Sequence, residues 1–215
     1  MFRMRILVIG AHADDIEPQM GGTIARYVDK GHEVKMVEAV VPCENENGIA
    51  CSESKALRWK EAEKAADILG ADLEILDLDP YDLVKSRNLV QILDKVVREY
   101  NPDVVYTNWN HDSHQDHTAI SNATFAATRK NLGTLYMYGH AAPGGLTPFV
   151  FNEQAFVDIT GYIGKKLDSV SAYASQVKRY DNWVKAIESR SRYIGFMIKT
   201  EYAEAFEVVR LIKMI

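Results

Sequence analysis

The sequence predicts an α/β fold: a Rossmann-like, doubly wound, mostly parallel sheet with helices on both faces, in one domain spanning residues 1–215. Three observations predict it. Strand-length apolar runs alternate with longer segments of helical spacing, the pattern that gives parallel sheets covered on both sides. The first run, Met4–Gly10, is apolar and ends at glycine, as suits a strand buried on both faces. A chain of 215 residues that is 47% hydrophobic can bury a sizeable core without disulfide or metal staples.

The elements follow in order. After Met4–Gly10, helical spacing through Ile24, Tyr27 and Val28 marks a helix over Gly21–Lys30, and Gly31 is its stop signal. Glu33–Val41 is the second strand. Ser54–Leu69 reads as a helix in which Ala56, Leu57, Ala62, Ala65, Ala66 and Leu69 share faces, with Gly70 ending it. Leu73–Leu78 is the third strand, Arg87–Tyr100 a helix stopped by Asn101-Pro102, and Asp103–Thr107 the fourth strand. Right-handed crossovers then make the first and fourth strands neighbours, at the switch point where such sheets bind ligands beyond the strands' carboxyl ends.

Composition excludes some partners. A formal charge of −5 gives no basic face for nucleic acid or an anionic membrane, so small molecules fit better. No stretch approaches the ~20 apolar residues that span a bilayer, and Ile6–Gly10 is too short for a signal-peptide core. Cys43 and Cys51 form no spaced framework, which points to a reduced, cytoplasmic setting.

The most polar residues follow the two neighbouring strands. After the first comes Ala11-His12-Ala13-Asp14-Asp15-Ile16-Glu17; after the fourth comes Asn110-His111-Asp112-Ser113-His114-Gln115-Asp116-His117. Four of six histidines and several carboxylates thus converge on one end of one sheet. Mixed imidazole and carboxylate donors suit a divalent ion such as zinc, and three protein ligands with an open position mark a catalytic site. Zinc lowers the pKa of water to about 7, a spare carboxylate can take the proton, and a spare histidine can face the oxyanion or protonate a leaving amine. Spacing alone does not assign these roles. Either loop taken singly could merely cap the following helix or lie in solvent.

At these residues the sequence resembles the PIG-L/LmbE-like de-N-acetylase family. Ala11-His12-Ala13-Asp14-Asp15-Ile16-Glu17 is similar to the family's Ala-His-Pro-Asp-Asp-x-Glu, and His114-Gln115-Asp116-His117 to its His-x-Asp-His. The resemblance implies one zinc ion per chain held by His12, Asp15 and His117. It implies Asp14 as general base toward the attacking water, and His114, oriented by Asp116, as oxyanion or leaving-group partner. Arg58-Trp59-Lys60-Glu61 resembles the family's Arg-x-x-Glu helix, which implies a substrate-binding role for Arg58. Lys166, Ser175-Gln176 and Tyr202–Phe206 resemble its C-terminal half. The implied activity is hydrolysis of an N-acetyl amide on a sugar or sugar conjugate, by a homo-oligomer (trimer or hexamer). Ala13 and Gln115 stand where relatives carry proline, which frees a φ angle but alters no proposed ligand.

Other residues admit two readings. Arg58 and Glu61 share a helix face and could equally be a surface ion pair worth under ~1 kcal/mol. Glu17 could orient a ligand histidine or simply favour a helix N-terminus. Trp109 is a candidate pocket wall for a sugar ring, with Tyr136 and Tyr138 better explained as core. His111 is a candidate pocket-lining residue, His140 a plain loop residue, and His32 a surface turn. Pro42–Ser54 could cover the site as a lid. Two rival functions remain: an amidase on a thiol conjugate or another small N-acyl compound, and a nucleotide-binding module. The second lacks G-x-G-x-x-G after the first strand, where Asp14 and Asp15 would repel a pyrophosphate.

Overall fold

A computed structural model describes residues 3–42, 52–83, 88–131, 133–139 and 145–212. Cys43, Cys51, His140 and most of the Pro42–Ser54 segment lie outside the described residues. Seven strands form one sheet: β1 (Arg5–His12), β2 (Glu33–Val40), β3 (Asp72–Ile75), β4 (Val104–Asn108), β5 (Thr134–Tyr138), β6 (Ala155–Asp158) and β7 (Ala203–Arg210), in the order β3-β2-β1-β4-β5-β7-β6. The first five in that order run parallel, and β7 and β6 add an antiparallel edge. β1 pairs with β4 as expected, with Ile6 opposite Val104 and Ile9 opposite Thr107.

The helices are α1 (Ile16–Asp29), α2 (Ser52–Leu69), the single turn α3 (Pro80–Leu83), α4 (Asn88–Tyr100), α5 (Gln115–Ala127), α6 (Ile163–Ala172), α7 (Ala174–Arg179) and α8 (Trp183–Met197). The period-two geometry of β1 explains its continuous apolar run. Ile6 and Val8 pack under α1 and α2, while Leu7, Ile9 and Ala11 pack under α4 and α5. Each fully buried aliphatic side chain of this kind contributes about 1.5–3 kcal/mol of transfer free energy. Gly31 and Gly70 end α1 and α2 at φ +78° and +76°, the left-handed conformation that glycine adopts without penalty. His32, beside Gly31, is half-buried, and its Nδ1 accepts from the Met4 amide at 3.1 Å.

Two departures from the sequence reading shape the site. Strand β1 runs on to His12, and α1 begins at Ile16, five residues before the expected Gly21. Helical geometry breaks at Met20 (φ −143°, ψ 18°), so the regular spacing visible in the sequence starts only after that kink. The carboxylate of Glu204 on β7 accepts from the amides of Gly22 at 3.0 Å and Thr23 at 2.7 Å, so the restarted turn is capped from another strand. In α2, Ala56 and Leu57 are exposed and the inner face runs instead through Arg58, Glu61, Ala62, Ala65, Ala66 and Leu69. Two charged residues stand where an apolar pattern alone expects solvent.

Candidate metal centre

The turns after β1 and β4 meet at the carboxyl end of the sheet. Asp15 sits at the N-terminal cap of α1 but does not cap it with its side chain. Its carboxylate turns back, and Oδ2 accepts from the His12 amide at 2.9 Å and from Asn108 Nδ2 at 3.2 Å. Asn108 is itself fixed, because its Oδ1 accepts from the Ala11 amide at 3.1 Å and from the Tyr138 hydroxyl at 3.2 Å. His114 caps α5, with Nδ1 accepting from the Asp116 amide at 3.3 Å, so Asp116 and His117 occupy that helix's first turn.

Three donor atoms face one another. His12 Nδ1 lies 3.3 Å from His117 Nε2, and Asp15 Oδ2 lies 3.5 Å from the first and 3.2 Å from the second. A tetrahedron with bonds of ~2.0–2.1 Å to its centre has edges of about 3.3–3.4 Å, so this triangle matches one face of a tetrahedral zinc site. The outer ring nitrogens are both taken by carboxylates. His12 Nε2 meets Asp116 Oδ2 at 3.0 Å, and His117 Nδ1 meets Asp112 Oδ2 at 2.9 Å. Such partners set the tautomer and raise the basicity of ligating histidines. The three histidines 12, 114 and 117 also offer ring nitrogens within 4.8 Å of one another. A divalent ion therefore has a fitting donor set here.

The electrostatics agree. Burial disfavours a charged His12, yet the Asp15 and Asp116 carboxylates outweigh it and lift its pKa to about 9. Burial is likewise overcome at His117, where Asp15 and Asp112 lift the pKa to about 10. Burial would raise Asp15, but His117 and His12 hold it well below the usual carboxylate range. The carboxylates gathered round these two buried imidazoles create a negative potential that a divalent cation can satisfy.

The other expected site residues fall around this triangle. Burial pushes the Asp14 carboxyl up while Arg58 pulls it down. Asp14 also adopts φ +113°, a conformation that side-chain-bearing residues rarely take. Arg58 is buried and forms no surface ion pair with Glu61: its Nη2 donates to Asp14 Oδ2 at 2.9 Å and to the Ala13 carbonyl at 2.7 Å. Glu61 instead accepts from the Ser175 amide and hydroxyl at 2.8 and 2.6 Å. His114 is nearly half exposed, its ring stacked on His117, and burial together with the charge of His12 and His117 lowers its pKa. Its Nδ1 accepts, so the neutral ring carries its proton on Nε2. The carboxylate of Asp116 lies 4.0 Å from His114 and bonds to His12, so the orienting contact runs to the other histidine and His114 is held by the Asp116 backbone.

Trp109 is a buried wall whose indole N–H donates to Glu207 at 3.1 Å, and exposed His111 stands edge-on to it while stacking on Phe149. Glu17 is buried and accepts from the Tyr173 hydroxyl at 3.0 Å, which also reaches Glu38 at 3.3 Å; burial raises the Glu17 pKa to about 8. Sequence reading missed Asp112 and Asn108 as functional residues. The available signals were a carboxylate five residues before His117 and a polar residue ending a buried strand.

Comparison with known proteins agrees with this geometry. Three similar proteins span most of the chain, and the two with a stated activity differ in it, one a deacetylase and one a hydratase. A diacetylchitobiose deacetylase from Thermococcus kodakarensis is 26% identical over 95% of this chain and 83% of its own length. A 4-oxalmesaconate hydratase from Pseudomonas putida is 24% identical over 86% of this chain and 78% of its own. The crystal structure of the conserved protein TT1542 from Thermus thermophilus superposes with a TM-score of 0.82 and 26% identity, covering 99% of this chain and 97% of that one. The PIG-L family model, described as GlcNAc-PI de-N-acetylase, matches residues 7–128, more than half of the chain and both metal-suited turns. This chain therefore belongs to the PIG-L de-N-acetylase family.

Proposed function

We propose that the protein is a zinc-dependent deacetylase that hydrolyses the N-acetyl amide of a sugar or sugar conjugate, releasing acetate and a free amine. The observation that carries this reading is the triangle of His12 Nδ1, Asp15 Oδ2 and His117 Nε2, with edges of 3.2 to 3.5 Å, in a chain of the deacetylase family. These three residues would hold one ion per chain, with Asp116 and Asp112 fixing the histidines from outside. When bound, the ion supplies Lewis acidity toward water and the amide carbonyl.

The chain's own groups divide the proton work. Asp14, beside the triangle, takes a proton from water as its oxygen attacks the carbonyl carbon. His114 presents Nε2–H to the oxygen that gains charge, and the proton taken up by Asp14 passes to the amine nitrogen as the C–N bond breaks. Exposed His111, edge-on to the buried Trp109, would offer a ring to the apolar face of a sugar.

The hydratase relative favours a second reading, water addition to an unsaturated oxo acid. The charge of this site weighs against it. Asp14, Asp15, Asp112 and Asp116 surround the centre, and Arg58, the arginine bonded within it, is committed to Asp14. A neutral N-acetyl group meets less repulsion than a polycarboxylate. An amidase on a thiol conjugate shares every step and differs in the amine released. Among the described residues no helix is long and apolar enough to cross a membrane. The cysteine pattern supports a cytoplasmic setting, and the family resemblance supports a homo-oligomer.

The test is acetate release from a panel of N-acetylglucosamine derivatives, with chelated and zinc-reloaded protein. Turnover should fall at least 10²-fold on chelation and return with zinc. No acetate from any derivative, with hydration of an oxo acid instead, would transfer the protein to the second reading.

A further inference from the structure

Exposed apolar residues gather on one short segment beside the candidate metal centre. Residues 145–154 lead into β6, and among them Leu146, Phe149 and Val150 leave 89%, 57% and 87% of their surface to solvent. Single apolar residues on a surface need no explanation, whereas a group of them at the edge of a site marks a surface built to be covered. The segment is continuous with the site. Asn108, which donates to Asp15, is followed by Trp109, whose indole stands edge-on to His111 at 5.7 Å and to Phe151 at 5.8 Å. His111, three residues before His114, stacks on Phe149 with ring centroids 4.4 Å apart and planes 28° from parallel. Touching rings therefore run from the turn that carries His114 and His117 out to Phe149.

The segment is also held in place. Glu207 Oε2 accepts from the Asn152 amide at 3.0 Å and from the Trp109 indole at 3.1 Å, and the Gln154 amide donates to the Phe206 carbonyl at 3.0 Å. One carboxylate thus fixes both the exposed segment and the buried wall of the site. What the segment offers outward is apolar. The Thr147 hydroxyl donates to the Phe149 carbonyl and accepts from the Phe149 amide, both at 3.2 Å. Glu153 pairs with Arg190 at 3.4 Å, and Gln154 Oε1 accepts from the Val208 amide at 2.9 Å. A second sugar ring would bring hydroxyls that need partners when they leave water, and these three polar side chains are already engaged. An aryl or alkyl group needs only apolar surface to lie against.

We propose that Phe149, flanked by Leu146 and Val150, forms a subsite for an apolar aglycone, the group joined to the sugar whose N-acetyl amide is cleaved. This subsite selects a sugar conjugate with an aryl or alkyl substituent over a free sugar or a longer saccharide. The proposal rests on the deacetylase reading of the metal centre.

The test compares the phenyl and methyl glycosides of N-acetylglucosamine, with diacetylchitobiose as the saccharide control. Acetate release is followed on full-length, zinc-loaded protein, and calorimetric titration of zinc-free protein reads binding without turnover. The phenyl glycoside should exceed the methyl glycoside about 10-fold in kcat/KM, chiefly through KM, and should also exceed the disaccharide. Phe149→Ser should bring the phenyl and methyl glycosides to within about twofold of each other. Phe156→Ser, which removes an exposed aromatic ring from β6, should leave their ratio at the parent value. Equal affinity for the two glycosides, or an unchanged ratio in Phe149→Ser, would overturn the proposal. So would a Val150→Ser protein that loses self-association and keeps the parent ratio, because the apolar group would then be a contact between copies of the chain. Preferential binding of the phenyl glycoside with no acetate from any compound would keep the subsite and sink the deacetylase reading instead.

Discussion

Among the described residues, two of the buried clusters of charge are built oppositely. At the antiparallel edge, Lys166 and Glu204, each with 2% of the side chain exposed, form an ion pair in which Glu204 also accepts from the amides of Gly22 and Thr23. Burial pushes the Lys166 pKa down, against the pull of Glu204. Its partners are all within the fold, and they tie β7, α6 and the kink of α1 together. At the switch point, the outer atoms of His12 and His117 are satisfied by Asp116 and Asp112, while the inner atoms converge with Asp15 on a shared centre. Burial of charge therefore does not mark a functional site. What marks it is convergence of donor atoms whose outer sides are already satisfied.

The contrast can be broken from either side. The largest effect belongs to the closed pair. Removing one partner with Lys166→Met leaves the Glu204 carboxylate buried without its counter-ion, which costs roughly 3–5 kcal/mol of stability, read by urea unfolding. The folded fraction should still bind metal with native affinity. The smaller effect belongs to the open cluster. Asp112→Asn keeps shape but removes the charge behind His117, so metal affinity should fall about 10–100-fold while the unfolding midpoint of the metal-free protein barely moves. If Lys166→Met weakened metal binding as much as Asp112→Asn does, the two clusters would be one network.

Much of the fold was legible because both faces of the sheet are covered. Met4–Gly10 announces a buried strand, and helix-length spacers between such runs fix a parallel order with the first and fourth strands adjacent. The candidate metal residues were legible as two polar turns whose meeting follows from that adjacency, and only the family resemblance singled out ligands among them. Their supports were not. An amphipathic pattern assigns charged positions to solvent, so the residues alone left Arg58 and Glu61 open to a surface pair, with only the family resemblance pointing Arg58 to substrate. Their partners Tyr173 and Ser175, at the α6–α7 junction, lie more than 100 residues away. The Met20 kink hid the first turn of α1, because Glu204, near the far end of the chain, provides the cap that permits it. Asp112 was overlooked for a related reason. In a run of polar residues, spacing does not say which carboxylate bonds to which imidazole.

The central claim is that the turns after β1 and β4 share a single cation through two histidines and one aspartate. The most direct test is zinc titration of metal-free protein, comparing Asp15→Ala with His114→Ala by stoichiometry after dialysis. One ion per chain should bind to the parent protein and to His114→Ala, and none should be retained by Asp15→Ala. Retention by Asp15→Ala together with loss from His114→Ala would show that the three histidines hold the ion instead, and would contradict the account.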